Sequence, residues 1–89
     1  MPMADVHLPG TLTPLFAGLP RRVDVEADTV GAAIAELEQR WPGLRDRLCD
    51  PGPHLRSHIH VYVDRERAGL DTELGPASRV DVVAAISGG

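Results

Sequence analysis

Hydrophobic and polar positions change their rhythm several times along the chain, and each change marks an element. From Ala4 to Leu8 they alternate, with Val6 and Leu8 on one side and Asp5 and His7 on the other, which predicts a short strand. Pro9–Gly10 breaks it. Leu12, Leu15 and Phe16 then stand at helical spacing, and Thr11 can cap a single turn. After the turn at Gly18–Pro20, Arg21–Ala27 alternates again, with Val23, Val25 and Ala27 inward. The short connection between these two strands predicts a hairpin.

The rhythm then lengthens. Val30, Ala33, Ile34, Leu37 and Trp41 fall on one face of a helix that Asp28 or Thr29 can cap. Glu36 and Arg40, four apart, can pair on its polar face, and the remaining acids read as a solvated face. Gly31 inside the first turn implies close packing of the helix on a sheet. Pro42 ends the helix by disfavouring a helical Trp41. Gly43–Leu48 supplies one further turn, and Cys49–Ser57, with two prolines and a glycine, reads as a loop. His58–Val63 is a third strand, Asp64–Arg67 a turn, and Ala68–Leu74 a short edge strand or irregular segment held by Leu70 and Leu74. Arg79–Ile86 is the last strand, with Val80 and Val82 inward and Asp81 and Val83 outward. One helix with one apolar face needs one sheet face to cover it. An α+β fold follows, a single mixed sheet packed on one main helix.

Length and composition narrow the functional classes. Eighty-nine residues suit one domain, 1–89, with one core and little interior for a deep active site. The formal charge of −4 argues against a nucleic-acid partner. All nine basic side chains are arginine, so no lysine is present to accept self-linked chains. Cys49 is the single cysteine, which excludes an internal disulfide and a CxxC zinc pair. With no basic-then-apolar start and no apolar run longer than Val82–Ile86, the expectation is a cytoplasmic protein without a membrane partner.

Side-chain chemistry is sparse. His58 and His60 face the same way on a strand and His54 is near in sequence, but no third metal ligand is evident and no metal is expected. Cys49 has no neighbouring base to activate it and reads as inert. Ser87 has no positioned base and reads as a small spacer. No nucleophile–base pair or metal set marks an enzyme.

The element order, the helix opening Asp28–Thr29–Val30–Gly31–Ala32–Ala33–Ile34 and the ending Val80–Asp81–Val82–Val83–Ala84–Ala85–Ile86–Ser87–Gly88–Gly89 together resemble the ThiS/MoaD family of sulfur carriers. Leu8–Pro9 with Leu12, the exit Trp41–Pro42–Gly43–Leu44, and Val61–Tyr62–Val63–Asp64 add to the likeness, which runs from about Ala4 to Gly89. The family often has asparagine where Asp64 stands. The resemblance implies the β-grasp fold shared with ubiquitin. It also implies a function at the C-terminal carboxylate of Gly89 rather than at a side chain. An ATP-dependent, E1-like activating enzyme would adenylate that carboxylate, a sulfur source would convert it to a thiocarboxylate, and a biosynthetic enzyme would accept the sulfur. ATP would be used by the partner, and the carrier itself would bind no cofactor.

The residue types suit that chemistry. A carboxylate is a poor acyl donor until its oxygen becomes a leaving group. The tail that carries it must be thin and bendable, which Ser87, Gly88 and Gly89 provide. The resemblance also implies docking through the sheet face turned from the helix, at the outward Val83, and alternation places Tyr62 and His60 beside it from the neighbouring strand. The run Leu48–Cys49–Asp50–Pro51 followed by Leu55–Arg56–Ser57–His58 looks most like carriers that feed cysteine synthesis or serve several pathways. The tail lacks the extra glycine of many thiamin carriers and has Ala84–Ala85 where many molybdopterin carriers have Pro-Pro; molybdopterin synthesis ranks next as the destination, and thiamin or another sulfur metabolite stays open. A protein modifier joined to target lysines, or a ubiquitin-like interaction domain with an idle tail, uses the same fold and remains open at this point.

Overall fold

The computed structural model describes residues 3–52 and 54–85. Ser87, Gly88 and Gly89, the expected site of chemistry, lie outside these described residues, as does Ile86. The strands are β1 (Met3–His7), β2 (Arg22–Glu26), β3 (Cys49–Asp50), β4 (His54–Leu55), β5 (Ile59–Val63), β6 (Glu66–Ala68) and β7 (Arg79–Ala84). The helices are α1 (Val30–Arg40) and α2 (Leu44–Leu48), with a 3-10 turn at Thr13–Leu15. Five strands form a mixed sheet in the order β2-β1-β7-β5-β6. β1 and β2 make the expected antiparallel hairpin, and β7 enters parallel to β1 and antiparallel to β5.

Alternation along the strands fixes which residues enter the core. Ala4 and Val6, Val23 and Val25, Ile59, Val61 and Val63, and Val80 and Val82 are all buried on one sheet face. Val30, Ala33, Ile34 and Leu37 of α1 cover that face, and Leu44 and Leu48 of α2 close its end. Leu37, Leu44 and Leu48 have no exposed surface. Trp41 packs only partly against this cluster.

The start of α1 satisfies all of its leading amides. Val30 N–H donates to Thr72 O, Gly31 N–H to Leu70 O, Ala32 N–H to Thr29 Oγ1 and Ala33 N–H to Thr29 O. Thr29 is therefore the cap. Gly31 is explained by close packing, but against a loop rather than the sheet. A Cβ there would sit 3.2 Å from the Leu70 carbonyl oxygen, which already accepts the Gly31 amide.

Four other expectations are corrected. Cys49–Ser57 is not wholly a loop, because Cys49 pairs with Leu55 and Asp50 with His54 in a separate two-stranded ladder. The turn after β5 is only Asp64–Arg65, and the edge strand begins at Glu66 rather than Ala68. Both turn residues have positive φ (49° and 74°), the geometry that matches hairpin twist in a two-residue turn. Arg40 does not pair with Glu36; its guanidinium donates to Asp24 O at 3.3 Å. Glu38 is not merely solvated. Its carboxylate accepts from the Gly43 amide at 3.0 Å and the Arg45 amide at 2.8 Å, capping α2 across the Pro42 break. Those two backbone bonds hold its carboxyl below the usual glutamate range.

Candidate functional site

β7 is the element from which the tail departs, and its pairing sets the geometry. It occupies the centre of the sheet. On the β5 side its ladder is continuous from Val63↔Val80 to Ile59↔Ala84, and Ala85 N–H adds a bond to His58 O at 2.7 Å. On the β1 side the ladder runs only from Asp5↔Arg79 to His7↔Asp81. Beyond Asp81 the strand is held from one side, and Pro9–Thr11 turns away from the other. The root of the tail is thus fixed by backbone bonds through Ala85, while one flank is open.

The face turned from α1 carries the expected docking residues. Val83 stands opposite His60 across the β7–β5 pair, and Tyr62 lies diagonal to Val83, opposite Asp81. The structure brings the three together as the alternation predicts. They are not equally available: Val83 is 43% exposed, whereas His60 and Tyr62 are half-buried. The His60 Nδ1 atom is shut off from solvent and finds no hydrogen-bond partner among the described residues. Met3, Leu15 and Val83 are the large hydrophobic residues exposed among the described residues.

Charge surrounds this patch in paired form. Asp5 accepts from Arg22 Nη2 at 3.0 Å and meets His7 Nε2 at 3.0 Å. Those bonds, His7 first and Arg22 second, hold its carboxyl below the ordinary aspartate range. Arg79 Nε donates to Asp81 at 3.0 Å. Cross-strand register lines up Arg22, His7, Asp81, Tyr62 and Arg67 in one row across all five strands. The apolar Val83 therefore sits just past a charged row whose members are largely satisfied within the sheet.

Two clefts flank the tail root, and sequence reasoning did not find them. One, about 410 Å³, lies between Leu8–Thr11 and Val82–Ala84, where the β1 ladder has ended. The other, about 270 Å³, lies on the opposite side of Pro9 and Thr11 and is walled by Leu12, Leu15, Leu48, Ile59, Ala84 and Ala85. Leu12, Leu15 and Phe16 stand at helical spacing in the sequence. A single 3-10 turn with Pro14 at its start cannot bury three such residues. Leu12 is buried, Phe16 packs partly on the core, and Leu15 is left 53% exposed.

The other candidates gain no support. Cys49 is buried and burial pushes its thiol pKa up, the opposite of an activated nucleophile. Among the described residues no three His, Cys, Asp or Glu side chains converge as a metal site. No helix among them is long and apolar enough to cross a membrane.

A mixed five-stranded sheet wrapped on one main helix, with the C-terminal strand at its centre, defines a ubiquitin-like β-grasp domain. The ThiS family model matches residues 6–89, and the chain belongs to that family. It is 32% identical over 90 residues to the sulfur carrier protein CysO of Mycobacterium tuberculosis (strain ATCC 25618 / H37Rv), covering 94% of this chain and 96% of that one. The crystal structure of the Amycolatopsis orientalis BexX/CysO complex contains a chain that superposes with a TM-score of 0.85 at 28% identity, covering 97% of this chain and 99% of that one. The Haloferax volcanii small archaeal modifier protein 1 superposes with a TM-score of 0.81 at 26% identity, covering 97% and 100%.

Proposed function

We propose that this chain is a sulfur carrier that works through the carboxylate of Gly89. The observation that carries the reading is the family match that extends through residue 89, taking in the glycine pair that follows the central strand. The likeness to a sulfur carrier protein over nearly the whole of both chains supports it. An E1-like enzyme would join the carboxylate to AMP from ATP, releasing pyrophosphate. Sulfide would then attack the acyl carbon, the acyl–phosphate bond would break with AMP leaving, and Gly89 would end in a thiocarboxylate. A second, biosynthetic enzyme would take the sulfur. Cysteine synthesis or a shared sulfur supply is the favoured destination, since the relatives named CysO match over most of their length. The chain's own contribution is presentation, with a rigid root at Ala85, a slim tail and a docking patch at Val83, Tyr62 and His60. It would perform no catalysis itself and would act in the cytoplasm.

Incubation with ATP, sulfide and the adenylating enzyme encoded in the same genome tests this directly. The expected result is a gain of about 16 Da, one oxygen replaced by sulfur, mapped to Gly89 and absent when Gly88–Gly89 is deleted. An unchanged mass with an enzyme that activates its other substrates would overturn the proposal. Adducts on target lysines in place of the thiocarboxylate would redirect it to protein modification.

A further inference from the structure

The smaller cleft beside the tail root differs in chemistry from the chain that carries it. Leu12, Leu15, Ile59 and Ala84 make its walls apolar, and Leu15 leaves half its surface in water. Its rim carries Arg47 and His58, both exposed, and no carboxylate among the described residues lines it, although the whole chain bears a charge of −4. Arg47 makes no side-chain hydrogen bond or ion pair among the described residues, in contrast to Arg22 and Arg79 on the sheet face. Backbone bonds fix both ends of the wall: Leu15 N–H donates to Leu12 O at 3.0 Å, and Ala85 N–H to His58 O at 2.7 Å. The cleft is thus preformed and needs little ordering to receive a side chain.

We infer that this cleft is a second docking point for the activating enzyme, receiving an apolar side chain flanked by carboxylates. The inference rests on the sulfur-carrier reading. Val83 lies on one side of the departing strand and Leu15 on the other, with Pro9, Thr11 and Ala84 shared between the two flanking clefts. A partner that must thread Gly89 into its own site can hold the root from both sides, which fixes where the tail begins. The Arg47 guanidinium at the rim of an apolar centre selects an acidic neighbourhood on that partner and speeds encounter.

The test compares Leu15→Ser, Arg47→Glu and Met3→Ser in the adenylation reaction. Met3 is a matched control, 52% exposed but at the opposite end of β1 from the tail root. Leu15→Ser is expected to raise KM about four- to fifteenfold with kcat unchanged, from the half of a leucine still to be buried. Arg47→Glu should raise KM and weaken its dependence on salt, and Met3→Ser should leave both parameters alone. Wild-type KM in the Leu15 and Arg47 variants would overturn the inference while wild-type sulfur loading kept the function intact. A concentration-dependent dimer abolished by Leu15→Ser would assign the cleft to a second copy instead. Nuclear Overhauser contacts between Leu15 and Ile86 in the isolated protein would assign it to the chain's own tail. Either result refutes the inference, as does failure of the wild-type chain to acquire sulfur at all.

Discussion

Val83 offers the sharpest test of the docking face because its structural and binding roles separate. It is 43% exposed, so removing its methyl groups opens no cavity, and Val83→Ala should change stability by less than about 1 kcal/mol. Fully burying a valine is favourable by about 1.5–3 kcal/mol. The share still exposed is therefore worth about 0.6–1.3 kcal/mol on docking, or about three- to ninefold in affinity. Val83→Asp adds a desolvated carboxylate beside Asp81, which stands two residues away on the same face, and should weaken binding more than tenfold. The assay is direct binding of the wild-type and variant chains to the activating enzyme by titration calorimetry, since KM equals a dissociation constant only when chemistry is slow. Melting curves would run alongside. A folded Val83→Asp chain that binds with wild-type affinity would refute the assignment of this face, because no geometry buries Val83 against a partner without also burying the new charge.

Other positions test the fold. Arg65 holds φ at 74° in the two-residue turn between β5 and β6, where aspartate followed by glycine is preferred. Arg65→Gly should raise stability by about 0.5–1 kcal/mol, the left-handed strain relieved less glycine's larger entropy loss; a lower melting temperature would contradict the reading. Thr29→Ala removes the acceptor for the Ala32 amide and should cost about 1 kcal/mol, roughly 4–8 °C in melting temperature, without changing affinity for the activating enzyme. Asp5 titrates below its ordinary value in the folded chain, so the unfolded chain binds protons more readily as pH falls. Its contribution is complete above the unfolded value of 3.8 and is lost as pH drops through the lower folded value. Asp5→Asn should therefore flatten the acid limb of a stability–pH curve measured with urea.

Most of the fold was legible because the chain states it locally. Alternation in Val23–Val25, Val61–Val63 and Val80–Val82, and the 3.6-residue spacing from Val30 to Leu37, each name a buried face without reference to the rest of the molecule. What was not legible depends on partners distant in sequence. Glu38 looks like any acid on a helix until Pro42 and Gly43 turn the chain so that its carboxylate meets two backbone amides. Gly31 declares a close approach, but only the folded chain shows that the approaching group is the Leu70 carbonyl. The ladder Cys49–Asp50 with His54–Leu55 hides behind Pro51 and Gly52, which read as loop because they form the turn itself.

The tail root shows the same division at the place where function is expected. Val83 was legible as an outward residue because strand parity is local. The unequal holding of β7, bonded to β5 through Ala84 and to β1 only through Asp81, was not, because register between strands is set across the whole sheet. That inequality has a consequence for presentation. A central strand bonded on both flanks to its end would have no open flank, and one released on both flanks at Asp81 would leave Val82–Ala85 unheld. Bonding on one flank alone holds the chain by backbone bonds out to Ala85, where its amide reaches His58 O, and leaves the other flank open beside Pro9–Thr11. Breaking the β5 ladder near Ile59 should therefore loosen the root and reduce the rate of carboxylate activation more than it reduces binding at Val83. Hydrogen exchange at the Ala85 amide, read beside adenylation rate and affinity, separates the two: equal losses in rate and affinity would mean that a rigid root contributes nothing to presentation.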